Sequence, residues 1–352
     1  MQSSAEGQKV GLLADAAAVA APVQMLNMTL GGMMTAHTIF AVARLDIADH
    51  LKKGPRSAEE LAVSVNAHAP SLYRLLRAAA SAGVVTENPF GTFALTPLGE
   101  TLRSDLPDSM RAMAIVSCAR WRLEPWMEIA RSIQSGQHGF LKVHEQPQYE
   151  YLSQHPEDER DFAAAMTALS KQDVQAVLAV YDFSSCKSVV DIGGGEGIFL
   201  AGLLRAYPSM RGIVFDRPEV AERATRFLRT QGLADRGKAV GGDFLDRVPY
   251  GGDLYAIKNV LLDWDNDQAI KILNNCKRVM NASSRVIIVE PLIPGPEEPH
   301  FSKLLDLEML IVPGGRARTL LEHKELLAAA GFTLARVVAK PALMTILEAV
   351  LR

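Results

Sequence analysis

The segment VVDIGGGEGIFL, from Val189 to Leu200, decides how this chain is built. A short β-branched run ends in an acidic residue, passes through several glycines and continues as an apolar helix. Glycines let the backbone approach a ligand closely, and the free N–H groups at the start of a helix face that ligand. The segment therefore predicts a strand–turn–helix unit that cradles a cofactor.

The sequence after this unit alternates strand and helix patterns. We expect strands at 188–192, 212–216, 238–244, 253–258 and 285–290, and helices at 198–207, 218–232 and 267–280. Such alternation predicts a parallel sheet with right-handed crossovers, which is a Rossmann-like, doubly wound α/β fold. Ligands bind such a sheet at the carboxyl ends of its strands.

Composition places the chain among ordinary globular proteins. Its 352 residues are 48% hydrophobic and carry a formal net charge of -3. This length predicts about two domains, and the charge offers no general attraction to nucleic acid or to an acidic membrane. Cys118, Cys186 and Cys276 are far apart, which predicts free thiols in a reducing, cytoplasmic compartment. Neither a disulfide framework nor a metal site is expected.

The N-terminal segment from Gly11 to Ala43 is rich in Ala, Leu and Met. Asp15 and Pro22 interrupt the apolar run, so the segment resembles neither a signal peptide nor a membrane span. We expect apolar helices that a second subunit covers, and hence a homodimer. The alternative is a helix pair buried within one chain.

The region after residue 56 predicts a winged helix. A capping-box start at 57–62 and a helix at 70–83 precede a hairpin formed by 84–87 and 92–96. This motif is typical of DNA-binding proteins, but acidic residues outnumber basic ones here, and a DNA reader needs a basic surface. The sequence therefore favours a dimerisation domain over a DNA-binding regulator.

These patterns divide the chain into three regions. Residues 1–107 form the helical and winged-helix dimerisation domain, and 182–352 form the Rossmann-like catalytic domain. Residues 108–181 read as a helical linker that contributes the substrate pocket, because aromatic residues recur along it. For any single aromatic residue, a place in the core is the default interpretation.

The glycine spacing indicates which cofactor the cradle accepts. The dinucleotide pattern GxGxxG starting at Gly193 would need a glycine at position 198, where the chain has Ile198. At the end of the second strand, Asp216 can accept both hydroxyls of a ribose. Asp243 and Phe244, after the third strand, suit an exocyclic amine and a purine ring. Carboxylates without basic partners favour S-adenosylmethionine, which has a cationic centre and no phosphate.

Six ordered motifs together resemble the plant and bacterial small-molecule O-methyltransferases of the caffeate and hydroxyindole type, a class I S-adenosylmethionine-dependent family. The motifs are VDIGGGEG (190–197), FDRPEV (215–220), GDF (242–244), IKNVLLDW (257–264), CKRVM (276–280) and PGGRART (313–319). The resemblance covers nearly the whole chain. It implies a metal-independent, dimeric enzyme with a small-molecule substrate.

The resemblance also implies a set of binding residues. Those expected at the cofactor are Met166, Ser170, Asp191, Gly193, Gly195, Asp216, Arg217, Asp243, Phe244 and Lys258. Those expected around a flat, apolar substrate are Trp121, Phe140, Phe162, Asn259, Leu262, Trp264 and Met309. S-adenosylhomocysteine is the expected product of the cofactor.

Two departures from the family concern the catalytic base. The chain has Leu262 where the family has a histidine, and Ala317 where it has a glutamate, while the acidic position Glu290 is retained. A positioned base contributes roughly 100- to 10,000-fold to the rate. We therefore expect an acceptor that needs no base, a substitute base, or a reaction other than methyl transfer.

Several side chains are candidates for a substitute base. The catalytic candidates are Glu290, Asp263 and His144, and the further groups considered are Asp306, Glu308 and His323. In an extended backbone Asp263 would point away from Leu262, and His323 would lie on a solvated helix face. His144 is expected in a loop near the aromatic region. Glu290 is the preferred acid because it ends a strand at the ligand edge.

The sequence thus predicts an S-adenosylmethionine-dependent methyltransferase of secondary metabolism. Its acceptor is a small aromatic or polyketide-like natural product, as in antibiotic biosynthesis, and O-methylation is the expected reaction. The alternative is a non-methylating enzyme of the hydroxylase, decarboxylase or pericyclase type, which would use the sulfonium charge beside developing negative charge.

Overall fold

The structure is a computed structural model that describes residues 21–339 and 344–352. The part of the expected N-terminal helices that precedes residue 21 lies outside the described residues. The chain divides into two compact units, one ending at Ala119 and the other beginning at Arg120. The three-region division, with boundaries at 107 and 181, remains a prediction.

The N-terminal unit combines helices with a small antiparallel sheet. Its helices are α1 (Ala21–Leu26), α2 (Gly32–Arg44), α3 (Ile47–Leu51), α4 (Ala58–Val65), α5 (Ala69–Ser81), α6 (Pro97–Glu100) and α7 (Arg111–Ser117), and its strands are β1 (Arg56–Ser57), β2 (Val85–Glu87) and β3 (Thr92–Leu95). A π-helical turn, Asn27–Gly31, joins α1 to α2. The sheet order is β1–β3–β2, so the expected hairpin is present.

Local sequence signals explain this unit well. The Ser57 hydroxyl accepts the backbone N–H of Glu60, whose carboxylate accepts the N–H of Ser57, so the expected capping box starts α4. Leu61, Leu76 and Phe93 are completely buried and form the centre of its core. Along α1, the π-helical turn and the start of α2, several large apolar side chains are exposed. They are Val23, Met25, Leu26, Met28, Leu30, Met33 and Met34.

The C-terminal unit is a layered α/β structure. Its helices are α8 (Arg120–Met127), α9 (Ile129–Ser135), α10 (Gly139–His144), α11 (Gln148–Gln154), α12 (Pro156–Leu178), α13 (Ile198–Ala206), α14 (Pro218–Thr230), α15 (Asn266–Val279), α16 (Phe301–Ile311) and α17 (Leu320–Ala329). Its strands are β4 (Ser188–Ile192), β5 (Arg211–Asp216), β6 (Gly237–Gly241), β7 (Leu254–Lys258), β8 (Arg285–Glu290), β9 (Leu292–Ile293), β10 (Arg318–Thr319), β11 (Phe332–Ala339) and β12 (Thr345–Leu351).

Seven of these strands form the central sheet, in the order β6–β5–β4–β7–β8–β12–β11. The five expected strands are parallel to one another. The sheet as a whole is mixed, because β12 runs antiparallel to both β8 and β11. The expectation of a parallel sheet therefore holds for the five strands that carry the cofactor motifs and fails for the C-terminal pair. A two-residue parallel ladder joins β9 to β10.

Two apolar cores cover the faces of this sheet. One includes Phe199, Leu203 and Val214, and the other includes Ile257, Leu273 and Ile288. Burial on both faces explains the β-branched strands, since parallel sheets carry near-continuous apolar runs. Among the helices that the structure describes, none is long and apolar enough to cross a membrane.

The capping box of α4 provides a test of the N-terminal unit. We expect Ser57→Ala to lower the free energy of unfolding by about 1 kcal/mol, because a helix N–H loses its acceptor. Chemical denaturation measures this value. Ser64→Ala, in the same helix, removes only exposed hydrogen bonds with Arg56 and Glu60 and should alter it by less than about 0.5 kcal/mol. Equal losses in both variants would contradict the capping role.

Candidate active site at the carboxyl edge of the sheet

The glycine turn lies where β4 ends. The backbone turns sharply at Gly193 and Gly195, whose φ angles are +66° and +57°, before α13 begins. The N–H of Gly193 donates to the carbonyl of Phe215 at 2.8 Å, which ties the turn to β5. At Gly194, a Cβ atom would lie 2.5 Å from Oδ2 of Asp191. The turn therefore packs directly against the acidic residue of the motif.

Asp191 is a buried carboxylate with spare hydrogen-bonding capacity. Its residue is 1% exposed, and neither of its oxygens has a hydrogen-bond partner within the described part of the chain. Burial raises its pKa to about 7, with the positive charge of Lys258 acting in the opposite direction. Such a group gains most from a cationic or N–H-bearing ligand.

Asp216 ends β5 and faces the same turn. Its Oδ2 accepts the N–H of Gly195 at 2.8 Å, and its Oδ1 accepts the N–H of Arg217 at 2.8 Å. Burial raises its pKa, while these two backbone donors lower it. A carboxylate fixed by backbone donors keeps lone pairs for the hydroxyls of a ribose.

The third expected acid lies beyond its strand. Strand β6 ends at Gly241, two residues before Asp243, which is exposed and accepts the N–H of Leu245 at 2.8 Å. The ring of Phe244 is half-buried and meets Trp264 edge-on, with ring centroids 5.7 Å apart. This leaves a solvent-accessible acceptor next to an aromatic ring.

The long helix α12 borders the same edge through the end of β7. Lys258 donates to Ser170 Oγ at 2.9 Å and lies 3.5 Å from Asp173 Oδ2. Asn259 Nδ2 donates to the same Asp173 oxygen at 3.3 Å. Met166, one turn before Ser170 on this helix, is half-buried. Lys258 and Ser170 are thus in direct contact.

Leu262 lies in a short 3-10 turn, Leu261–Asp263, that follows β7. The guanidinium of Arg318 is 1% exposed and donates to the carbonyls of Leu261 (2.8 Å) and Trp264 (2.9 Å). The carbonyl of Leu262 accepts the N–H of Arg316 at 2.8 Å. These bonds hold the backbone on both sides of the position where the family has its histidine.

The conformation of this turn changes the expectation for Asp263. The turn is helical and not extended, so the alternation that would point Asp263 away from Leu262 does not apply here. Oδ2 of Asp263 accepts the hydroxyl of Tyr149 at 2.5 Å. Burial raises the pKa of Asp263 to about 7, and the bond from Tyr149 lowers it.

Glu290 lies close to His323, and both side chains are buried. Glu290 is 1% exposed and His323 is 0% exposed, and His323 Nε2 lies 3.9 Å from Glu290 Oε2. The expectation that His323 lies on a solvated face was wrong, because it shares the buried side of α17 with Leu326 and Leu327. Burial raises the pKa of Glu290 to about 8 and lowers that of His323 to about 4. Both groups are therefore neutral near pH 7.

Three other candidate bases are engaged elsewhere. His144 is the last residue of helix α10 and not part of a loop, and its Nε2 lies 2.8 Å from the carbonyl oxygen of Trp121. Glu308 accepts two N–H donors, from Arg122 at 2.7 Å and from the indole of Trp126 at 2.6 Å. Asp306 occupies the region of Ala317, whose N–H it accepts at 2.8 Å.

The expected substrate residues fall into separate groups. Trp121 packs against Phe140 and Phe162, with ring centroids 6.2 and 6.1 Å away. Trp264 lies beside Phe244, Leu262 is 5% exposed in its turn, and Met309 is 8% exposed on α16. Asn259 is directed to Asp173 on α12.

Two residues that sequence reasoning did not place at the site connect these groups. Tyr149 meets Phe162 at a ring-centroid distance of 6.4 Å and hydrogen-bonds Asp263, so it joins the Trp121 cluster to the turn. Asp173 bridges Lys258 and Asn259. The spacing from Ser170 to Asp173 was a usable signal, since residues three apart share a helix face.

This arrangement defines a Rossmann-like enzyme domain that binds a nucleoside cofactor. The unpartnered carboxylate of Asp191, the carboxylate of Asp216 held by two backbone N–H groups and the ammonium of Lys258 fit S-adenosylmethionine, which presents an ammonium, a ribose and a carboxylate. Among the described residues, no group of three or more acidic, histidine or cysteine side chains could hold a metal ion.

Comparison with known proteins gives the family. The O-methyltransferase domain family matches residues 126–333, and the O-methyltransferase dimerisation domain matches 28–105. The chain therefore belongs to the S-adenosylmethionine-dependent O-methyltransferase family. A phenazine O-methyltransferase from Lysobacter antibioticus is 43% identical over 92% of this chain and 95% of its own length.

Solved structures agree with this assignment. The crystal structure of LaPhzM covers 95% of this chain and 100% of its own, at 42% identity and a TM-score of 0.90. The O-methyltransferase NcsB1 from neocarzinostatin biosynthesis was solved with S-adenosylmethionine and 2-hydroxy-5-methyl naphthoic acid; it is 32% identical, with a TM-score of 0.78, and 91% of this chain and 96% of that one are covered. Because these relatives are methyltransferases, the comparison does not favour the non-methylating alternative.

A substitution at Gly194 tests whether the glycine turn belongs to the cofactor site. We expect Gly194→Ala to weaken binding of S-adenosylhomocysteine at least about tenfold, because the new Cβ displaces Asp191. Isothermal titration calorimetry measures the affinity. Gly295→Ala adds the same methyl group in open space and should leave binding unchanged. Unchanged affinity in Gly194→Ala would remove the turn from the cofactor site.

Burial of Glu290 predicts a specific pH dependence of stability. Its folded pKa is about 8, above the ordinary value of 4.5, so stability is full below about pH 4.5 and falls as pH rises toward 8. Glu290→Gln stays neutral, so its Tm should fall less between pH 5.5 and pH 8.5 than that of the wild type. Glu297→Gln, at an exposed position, should follow the wild type; a parallel fall in Glu290→Gln would contradict the raised pKa.

Proposed function

We propose that this methyltransferase transfers the methyl group of S-adenosylmethionine to a hydroxyl on a small, planar aromatic or polyketide-like natural product. The observation that carries the proposal is the pairing of Asp216 with the N–H of Gly195 at 2.8 Å, next to the unpartnered carboxylate of Asp191. The acceptor class rests on the relatives, one of which acts on phenazines and another of which was solved with a hydroxynaphthoic acid.

The contacts among these residues support the following roles at the cofactor. Asp216 receives the ribose hydroxyls, and Asp191 compensates the positive charge of the methionine end. Lys258 and Ser170 face the methionine carboxylate together with Met166, and Asp243 and Phe244 receive the adenine. The cofactor supplies an electrophilic methyl group, and the protein contributes alignment of the acceptor oxygen with it.

The acceptor proton needs a base that can reach it, and Asp263 suits this role best. Glu290 is sealed behind the turn at 1% exposure, and His144 is held against a backbone carbonyl. Asp263 is half-buried, lies next to Leu262 and has one oxygen left after its bond to Tyr149. A base with a pKa near 7 is well matched to proton transfer at neutral pH.

We further propose a cytoplasmic homodimer whose N-terminal unit is a winged-helix dimerisation module. The exposed apolar side chains from Val23 to Met34 are the surface that a second copy would cover. The helix pair α4–α5 followed by the β2–β3 hairpin has the order of elements found in winged helices.

An acceptor screen tests the reaction. The wild-type enzyme is incubated with S-adenosylmethionine carrying a labelled methyl group and with hydroxylated phenazines, naphthoates and benzoates, and products are identified by mass spectrometry. We expect a methyl ether and an equal amount of S-adenosylhomocysteine. Label on nitrogen or carbon only, or acceptor turnover without S-adenosylhomocysteine, would contradict the proposal.

Replacement of Asp263 tests the proposed base. We expect Asp263→Asn to lower kcat at pH 7 by about 100-fold, because the acceptor hydroxyl loses its proton acceptor, with little change in affinity for S-adenosylhomocysteine. The control Asp267→Asn changes an exposed acid near the start of α15 and should keep full activity. A kcat of Asp263→Asn within twofold of the wild type would rule out this role.

A further inference from the structure

Tyr149 uses different groups to contact the Leu261–Asp263 turn and the residues at the end of β5. Its hydroxyl donates to Asp263 Oδ2 at 2.5 Å, on the turn that carries Leu262. Its backbone carbonyl accepts Nη1 of Arg217 at 3.2 Å, and the Arg217 guanidinium lies over its ring, 5.4 Å from the centroid. Arg217 follows Asp216 directly and donates its N–H to that carboxylate. One residue of α11 thus spans the cofactor side and the acceptor side.

The backbone around Asp263 is already held without Tyr149. Arg318 binds the carbonyls of Leu261 and Trp264, and the N–H of Arg316 binds the carbonyl of Leu262. These bonds go to the backbone and leave the Asp263 side chain unbound, and its hydrogen bond to Tyr149 selects one orientation. Because Oδ2 is used in that bond, the direction of Oδ1 follows from it.

The charged groups around this pair define its electrostatics. From α11, Tyr149 donates its hydroxyl, and at the end of β5 the charges of Asp216 and Arg217 act on Tyr149. From β8, the Glu290 carboxyl interacts with Asp263, and from β10, Arg318 lies beside Glu290. The Tyr149 hydroxyl stabilises the ionised form of Asp263, whereas burial disfavours it. Removing the hydroxyl therefore leaves Asp263 protonated to a higher pH.

We propose that Tyr149 is a positioning residue for the methyl transfer, which orients Asp263 and keeps it ionised as the proton acceptor. The proposal rests on the proposed function, since it needs an acceptor hydroxyl. In the reaction a lone pair of the acceptor oxygen forms the O–C bond, and the electrons of the methyl–sulfur bond leave with sulfur. The hydroxyl proton passes to Asp263 and then to water.

The test compares Tyr149→Phe with Tyr151→Phe. Tyr149→Phe keeps the ring and the backbone carbonyl that contact Arg217, and loses only the hydroxyl. Tyr151 lies on the same helix and donates its hydroxyl to Asp158 at 3.2 Å, so its replacement is a matched control. Circular dichroism and Tm establish that both variants fold.

For Tyr149→Phe we expect kcat at pH 6.5 to fall about tenfold and the acidic limb of the kcat–pH profile to move about one unit upward. Affinity for S-adenosylhomocysteine should stay within about twofold, and Tyr151→Phe should match the wild type. With an acceptor phenol acidic enough to be ionised at the assay pH, Tyr149→Phe should be as active as the wild type. In the Asp263→Asn background, Tyr149→Phe should cause no further loss, because the two residues act as a unit.

An unchanged pH profile, or an equal loss with the ionised and the neutral acceptor, would overturn the role of Tyr149. Methylation of hydroxyl acceptors by the wild-type enzyme is measured in the same experiment. If the wild type methylates them and Tyr149→Phe behaves like it, the positioning role fails alone. If the wild type methylates no hydroxyl, the proposed function fails with it.

Discussion

The close approach of the Gly193–Gly197 turn to Asp191 is the constraint on which the cofactor side depends. A side chain at Gly194 would lie 2.5 Å from the carboxylate, so only glycine allows the turn to pack over the strand end. Because the turn packs this close to the end of β4, the N–H of Gly195 reaches Asp216 on the neighbouring strand β5. Helix α13 then begins directly after the turn, where a ligand at the carboxyl edge of the sheet can meet its first N–H groups.

The acceptor side is organised by a different kind of contact. The completely buried guanidinium of Arg318 donates to the carbonyls of Leu261 and Trp264 and to the Asn266 side chain. A buried guanidinium is costly unless its donors are satisfied, and here the two carbonyls and the Asn266 side chain satisfy them. The backbone of the turn therefore does not depend on the family histidine that Leu262 replaces. The polar side-chain contact at this turn is the hydrogen bond from Tyr149 to Asp263.

Much of the fold could be predicted because its signals are local. The strands β4 and β8 have the expected bounds, and the capping box at Ser57 forms as expected. The third strand ends before Asp243, because its partner strand β5 ends at Asp216, opposite Gly241. The burial of His323 was missed because the pattern of α17 does not reveal which of its faces meets the sheet.

The sequence by itself determined the class of cofactor, since the glycine spacing and the carboxylates at or just beyond the strand ends can each be recognised from the residues around them. It also revealed the missing base, because Leu262 and Ala317 replace the histidine and the glutamate of the family motifs. Only the tertiary structure decided the partners of the remaining polar groups. Tyr149 reaches Asp263 across 114 positions, and such contacts depend on how distant segments pack, which no local pattern encodes.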